Sequence, residues 1–307
     1  MEKLHSCILC GASDSVTLDN IKGEELSCLY NKMGVKYLKL PEYLTLLECT
    51  NCNLKWFSPA LMGDGKFYEE LQKYEWYYQK NKVEFEFSAQ AIVDRKFVVE
   101  VGCGSGHFAH LLSTSTRYIG LEFNDSAINK AKCAGLDVRK QMIEDFVSES
   151  PGNADAVVAF QVLEHVSNPK GFLKACSGAL ASDGLLVISV PNEDSFLGDA
   201  INNCLNLPPH HVTRWTKTTF EIWARQNGYT IQDVFEDPIA PYHLVWWRAT
   251  KLRSKLRELI GMHRCQIDLS LRWRLISLLC AVLARVLPIK SEGKLGHSIT
   301  VVMKKTY

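Results

Sequence analysis

The chain has 307 residues, 47% of them apolar and 22% charged, with a formal net charge of +1. That profile gives room for one large domain and a small one around a sizeable core, and it excludes a protein-wide electrostatic attraction to nucleic acid or membrane. No run of about 18 uncharged apolar residues occurs, since the nearest approach, 275–288, carries Arg285. The first ten residues are not built like a signal peptide, so the eleven cysteines point to a reducing, cytoplasmic compartment in which thiols are core residues, metal ligands or nucleophiles.

Residues 1–60 carry two knuckles, Cys7-x2-Cys10 and Cys49-x2-Cys52, separated by 38 residues, with strand-like pieces such as YLTLLECT between and around them. Four thiolates in two such pairs make a closed tetrahedral site, which predicts a structural Zn²⁺ in a ribbon-like module rather than a catalytic ion with an open position. Cys28 stands outside the pattern. The six Lys and seven Asp/Glu of this stretch are near balance, a poor footprint for nucleic acid. Residues 61–92 are aromatic and charged and read as a helical connector.

From 93 to 240 strand and helix patterns alternate. FVVEV is a buried strand, and HFAHLL is expected to open a helix after the glycines. YIGLE is the second strand, followed by a helix with Asp125 as its N-cap and Gly135 as its stop. LDVRKQ and DAVVAF are the third and fourth strands; Asn168 caps the next helix with Pro169 at its first position. GLLVISV is the fifth strand, Thr216 caps a helix ending near Gly228, and YTIQDVF is the sixth strand. This alternation implies an α/β, doubly wound parallel sheet, with ligands bound beyond the carboxyl ends of its strands. Residues 242–295 hold eleven Lys/Arg against three Asp/Glu and mix them with Trp and Leu at helical spacing. Two readings stand: a helical cover over the acceptor site, or a helix pair that meets anionic lipid or a lipid-linked phosphate. HSITVVMKK closes the chain as a strand.

The turn EVGCGSGH (100–107) carries the chemistry. Glycines permit positive φ and let backbone approach a ligand closely. A pyrophosphate-binding turn would read G-x-G-x-x-G, whereas here Gly102, Gly104 and Gly106 alternate and His107 follows. Glu100 at the turn repels a pyrophosphate and suits a cation, and Glu122, 22 residues on at the end of the second strand, can take two ribose hydroxyls. A nucleoside without phosphate and with positive charge fits: S-adenosylmethionine. Methyl transfer to a hydroxyl needs an aligned nucleophile and a base titrating near neutrality. LPPHHVTRWT (207–216) supplies His210 or His211 as that base, with Arg214 and Trp215 shaping the acceptor pocket and Asn192 and Glu193 at its rim. Glu164 and His165, directly after the fourth strand, read as anchors of the following helix.

With EVGCGSG, GLEFN and DAVVAFQVLEHV together, residues 93–240 resemble the class I S-adenosylmethionine-dependent methyltransferases, most closely the branch of the ubiquinone-pathway O-methyltransferase and sugar methyltransferases. The resemblance implies a seven-stranded Rossmann-like sheet with an antiparallel last strand, so that 93–307 is the methyltransferase domain and 241–295 an insertion before that strand. It further implies that Glu100, Gly102, Gly104 and Gly106 surround the methionine end and ribose, that Glu122 holds the ribose hydroxyls and that Phe123 lies beside the adenine. Phe160 and Gln161 would lie under the cofactor. Where the family often places an acid to meet the adenine amino group, this chain has Met142, leaving the Ile143 backbone or Glu144 as substitutes. Zinc modules and a Pro-rich, His-bearing segment occur in the same branch.

The reading is therefore an O-methyltransferase acting on a small-molecule or glycan acceptor, free or lipid-linked, with no nucleic-acid partner and with peripheral membrane contact through 242–295. The alternatives are a C-methyltransferase of a nucleotide-linked deoxysugar, an O-methyltransferase of a phenolic or quinone precursor, and an inactive binding scaffold.

Overall fold

The computed structural model describes residues 6–36, 38–71, 73, 82–286 and 295–306. Expectations that fall on 74–81 of the connector and on 287–294 at the end of the basic insertion lie outside the described residues.

The amino-terminal part folds as β1 (Ser15–Lys22), α1 (Gly23–Lys32), β2 (Tyr43–Cys49) and β3 (Lys55–Ser58). These strands form an antiparallel meander in which Leu44 and Leu46 turn inward with Phe57. The connector supplies α2 (Gly65–Leu71) and α3 (Val83–Ala91). The alternating region follows with β4 (Phe97–Val101), β5 (Arg117–Leu121), α4 (Asp125–Cys133), β6 (Val138–Arg139), α5 (Ile143–Glu149), β7 (Ala154–Phe160), α6 (Pro169–Ala179) and β8 (Leu180–Pro191). The chain ends with β9 (Thr213–Arg214), α7 (Lys217–Gln226), β10 (Tyr229–Pro238), α8 (Leu244–Leu259), α9 (Leu271–Val286) and β11 (Leu295–Lys305).

The large sheet has seven strands in the order β10-β11-β8-β7-β4-β5-β6. β11 runs antiparallel to both neighbours, and β6, β5, β4, β7 and β8 are mutually parallel. Strand alternation sorts the core. Val99 and Val101 face the layer holding Phe146, Phe172 and Phe220, while Val98 packs with Phe85 and Phe108 on the other face. Three helices start where their caps dictate: Asn124, Asn168 and Thr216 each accept a hydrogen bond from a backbone N–H three residues on. Asn124, one residue before the expected Asp125, is the first of these.

Two further local expectations are corrected. HFAHLL makes only one 3-10 turn, Phe108–Leu111. Phe108 is pulled between Phe85 and Phe160, and the Ser113 hydroxyl accepts from Ser115 N–H, a local bond that competes with helix extension. The amino-terminal sheet is also not closed within its own segment, because its fourth strand is β9, brought from more than 150 residues downstream.

That strand is fixed by charge as well as backbone. The Glu193 carboxylate lies 3.2 Å from Lys55 Nζ of β3 and 3.5 Å from Arg214 of β9. Arg214 also donates to the Asn206 carbonyl at 2.6 Å and covers the Phe57 ring. Burial pushes the Glu193 carboxyl up, but Arg214 and Lys55 outweigh it and hold its pKa below the usual range. Glu193→Gln leaves Arg214 buried without its counter-charge, so urea unfolding at pH 7 is expected to show a loss of about 3–5 kcal/mol. The wild-type carboxylate contributes stability above its unfolded pKa and loses it as pH falls through the lowered folded value, so the difference should shrink in acid.

Candidate active site

The carboxyl ends of β4, β5 and β7 open onto a cavity of about 1370 Å³ that runs from the glycine turn to the first residues of α8. Gly102 has φ +71°, and a Cβ there would run into Val162 Cγ2. Gly104, at φ +54°, has nothing within 4 Å of its would-be Cβ, so its backbone is bare toward the cavity. Glu122 ties this turn to the end of β5. Its carboxylate accepts from Gly104 N–H at 2.8 Å, Phe123 N–H at 2.6 Å and Asn124 N–H at 2.9 Å. Glu100 is 2% exposed and accepts from the Tyr118 hydroxyl. Burial pushes its pKa up to about 8, against the opposing hydrogen bond from Tyr118.

The remaining residues expected around a cofactor divide. Phe123 is exposed and borders the cavity. Phe160 reaches it from β7 but is mostly engaged with Phe85 and Phe108, ring centroids 4.7 and 4.8 Å away. Gln161 turns out of the strand at φ +57° and donates toward the Ser189 and Ser298 hydroxyls. Met142 caps α5 and Ile143 turns into the core; neither lines the cavity.

At the other end of the cavity His165, His210 and His211 come together. One ring nitrogen from each lies within 4.8 Å of the others. The rings of His210 and His211 stack at 4.4 Å, and His165 meets both edge-on at 4.8 and 5.0 Å. Their orientation is fixed at Nδ1: His165 faces the His210 carbonyl, His210 the Leu205 carbonyl at 2.8 Å, and His211 the Asn206 side-chain oxygen at 3.2 Å. A carbonyl only accepts, so Nδ1 carries the proton and Nε2 the lone pair. Burial lowers the pKa of His165 to about 4 and of His210 to about 3, with His165 adding to the effect on His210. All three rings are thus neutral near pH 7. Glu164 sits beside them, 1% exposed, its carboxyl pushed up to about 8 by burial.

Glu164 and His165 were read as helix anchors, yet both line the cavity, as does Tyr68 of α2, whose hydroxyl is 3.4 Å from His165 Nδ1. Their only sequence signal was a Glu-His pair at the end of a central strand. Arg214 and Trp215 do not shape the pocket: Arg214 is held by Glu193, and Trp215 is fully buried against Phe220. Asn192 and Glu193 are buried rather than at a rim.

The four knuckle cysteines converge in the small module, one sulfur from each within 4.8 Å of the rest. Cys7 and Cys52 sulfurs are 3.6 Å apart, as are those of Cys10 and Cys49. Backbone N–H groups of Leu9, Asn51 and Cys52 point at the sulfurs of Cys7 and Cys49. Cys28 remains apart from this group.

A family model described as a methyltransferase domain matches residues 72–234, a little over half of the chain. The chain therefore belongs to the methyltransferase domain family. It is 31% identical over 156 residues to a ubiquinone biosynthesis O-methyltransferase from Xanthomonas euvesicatoria pv. vesicatoria, covering 45% of this chain and 64% of the relative. A protein of the same description from Xanthomonas oryzae pv. oryzae is 34% identical over the same length. The chain thus spans less than two thirds of the curated relatives it matches. Among solved structures, a SAM dependent methyltransferase from Archaeoglobus fulgidus superposes with a TM-score of 0.50 at 18% identity, over 79% of this chain and 100% of that one. A SAM-dependent methyltransferase from Thermotoga maritima, described as a possible histamine N-methyltransferase, gives 0.51 at 16% identity, over 78% and 97%. These two likenesses concern the fold: the Rossmann-like sheet of S-adenosylmethionine-dependent methyltransferases, with its antiparallel last strand.

Proposed function

We propose that this chain is an S-adenosylmethionine-dependent methyltransferase that methylates a hydroxyl oxygen of a sugar, glycan or lipid-linked saccharide. The observation that carries the reading is one continuous cavity with a bare glycine turn between two carboxylates at one end and a neutral histidine cluster at the other. The glycines leave room that a Cβ would fill, and Glu100 and Glu122 supply negative charge without the donors a pyrophosphate would need. In this reading Glu100 and the glycine turn take the methionine end, Glu122 the ribose hydroxyls and Phe123 one face of the adenine. S-adenosylmethionine supplies the methyl group on a sulfonium. The acceptor hydroxyl lies toward Tyr68 and the histidines, and its proton leaves into the cluster formed by His210, His211, His165 and Glu164. The printed descriptions of the Xanthomonas relatives favour a second acceptor class, a phenolic quinone precursor.

The same proposal gives the four cysteines one structural Zn²⁺. Ligand sulfurs about 2.3 Å from a tetrahedral zinc are about 3.8 Å apart, close to the 3.6 Å observed for two pairs. It also gives α9 a place on an anionic lipid surface. Leu271, Leu275, Leu278, Leu279, Val282 and Val286 are all more than half exposed, on a helix that also carries Arg272, Arg274 and Arg285.

Calorimetry should detect S-adenosylmethionine binding. Because free Glu100 is protonated below about 8, a cationic ligand must displace that proton. Affinity should therefore rise with pH, by up to about tenfold per unit below 8. Glu100→Gln should bind more weakly and with a flatter profile; no binding to the wild type would remove the proposal. A screen of nucleotide sugars, glycans and phenols, read as S-adenosylhomocysteine release, separates the two acceptor classes. Metal analysis should find one equivalent of zinc fewer in Cys7→Ser/Cys49→Ser than in wild type, and equal zinc in both proteins refutes the cysteine site. Vesicles of phosphatidylglycerol, but not of phosphatidylcholine, should sediment the protein, and Leu278→Glu/Val282→Glu should stay in solution; failure of the wild type to sediment disposes of the lipid contact.

A further inference from the structure

The histidine cluster has the makings of a second ion site. His165, His210 and His211 each spend Nδ1 on a carbonyl-type oxygen, and each offers a ring nitrogen to one small volume bordering the cavity. This is the arrangement by which metal-binding histidines are held: a carbonyl on one nitrogen fixes the tautomer and aims the other lone pair. Glu164 Oε1 lies 3.8 Å from His165 Nε2 and 3.9 Å from His211 Nε2, too far for a hydrogen bond to either. Ligands about 2.1 Å from a shared tetrahedral ion are about 3.4 Å apart, so histidine nitrogens within 4.8 Å of one another reach a common ion by side-chain movements of about an ångström.

A second observation points the same way. Both Glu164 carboxylate oxygens are buried and accept no hydrogen bond from any described residue. Buried polar atoms are almost always satisfied, and a buried carboxylate facing imidazole lone pairs has only acceptors opposite it. Lys82 acts on this carboxylate only through space, so among the described residues no positive centre is in hydrogen-bond contact with it. The cysteine site differs in kind, because its four thiols enclose their own centre, whereas the histidines line a cavity with room for a further ligand.

We propose that His165, His210 and His211 bind a divalent transition-metal ion of the zinc type, whose remaining coordination position faces the cavity and takes the hydroxyl oxygen of the acceptor, while the Glu164 carboxylate beside it takes the acceptor's proton in place of an imidazole. Three imidazole ligands select zinc, cobalt, iron or nickel over magnesium or calcium, which prefer all-oxygen shells. The site deepens the functional reading above, because it rests on that end of the cavity being where the acceptor lies.

The full-length protein is stripped with a chelator, reloaded with Zn²⁺, and assayed for bound metal and for S-adenosylmethionine binding. Wild type should hold two equivalents, Cys7→Ser/Cys49→Ser one, and His210→Ala/His211→Ala one, with the cofactor still bound by the histidine variant. Should that variant fail to fold, X-ray absorption at the zinc edge of the reloaded wild type decides: a mixed shell of sulfur and nitrogen or oxygen is expected. A shell of sulfur alone, or no loss of metal on replacing the histidines in folded protein, overturns the site. If the second ion binds and S-adenosylmethionine does not, the metal site stands and the functional reading falls. If the cofactor binds and no nitrogen-ligated ion does, the reverse holds.

Discussion

The segment from His210 to Trp215 is gripped from both sides, and the geometry of the cavity depends on that grip. Phe57 of the small sheet donates its N–H to the Val212 carbonyl, while Val212 donates its own to the Glu164 carbonyl at the end of the large sheet's central strand. Glu193 N–H reaches the Trp215 carbonyl, and Asn192 forms a bridge with Trp215. Loops at the carboxyl ends of parallel strands ordinarily run over the surface and vary freely. Here the loop becomes β9, a strand with a partner in another sheet, and its backbone groups are paired on both edges. His210 and His211 therefore inherit their positions from two sheets at once.

Four carboxylates in and beside the cavity form a graded series. Glu193 is met by two cations, Glu122 by three backbone N–H groups, and Glu100 by one tyrosine hydroxyl. Glu164 is met by no donor among the described residues. An unpartnered carboxylate costs several times what a partnered one does, so folds keep few of them. The two best-satisfied groups hold chain segments together: Glu193 joins the sheets and Glu122 locks the glycine turn to β5. The two least satisfied, Glu100 and Glu164, share a pKa near 8 for the same reason, burial, and stand at opposite ends of the cavity. Departures from local satisfaction are where function is expected to lie.

What was legible in the sequence was local. Alternating apolar residues in FVVEV and DAVVAF, cap residues Asn168 and Thr216, and the spacing of the glycines and knuckles each report on a few neighbours, and each found its place in the fold. Non-local facts left no comparable trace. β9 is two residues long with no strand pattern of its own, and it forms because β3 offers an edge and Glu193 a counter-charge. HFAHLL has helical periodicity, but packing Phe108 between two aromatic rings prevailed over propensity. The third histidine and its glutamate come from the end of β7, some 45 residues before the pair that the sequence singled out, and only the sheet brings them together. Arg214 and Trp215 sit beside that pair in sequence, but neither lines the cavity: Arg214 is held by Glu193 and covers Phe57, and Trp215 stacks on Phe220 in the main core.

This placement also bears on why a cysteine module precedes the sheet. Its core residues Tyr30 and Phe57 belong to one apolar cluster with Phe67 of α2 and with Leu207, the residue that leads into Pro208-Pro209-His210-His211. The Tyr30 hydroxyl donates to the Cys204 and Leu207 carbonyls, at 2.7 and 3.1 Å. The four cysteines lie in another cluster, shared with Val190 and Trp215 of the main core. A three-stranded meander of this size has little core of its own and needs a cross-link or a neighbour to persist. An ion shared by the two knuckles would constrain the 38-residue span between them, and the entropy saved would accrue to the folded module. That module carries one edge of β9, the strand that follows the histidine loop. The small sheet thus stands behind the histidine loop rather than in the cavity, joined to it by Phe57 N–H at the Val212 carbonyl and by the Tyr30 hydroxyl at the Cys204 and Leu207 carbonyls.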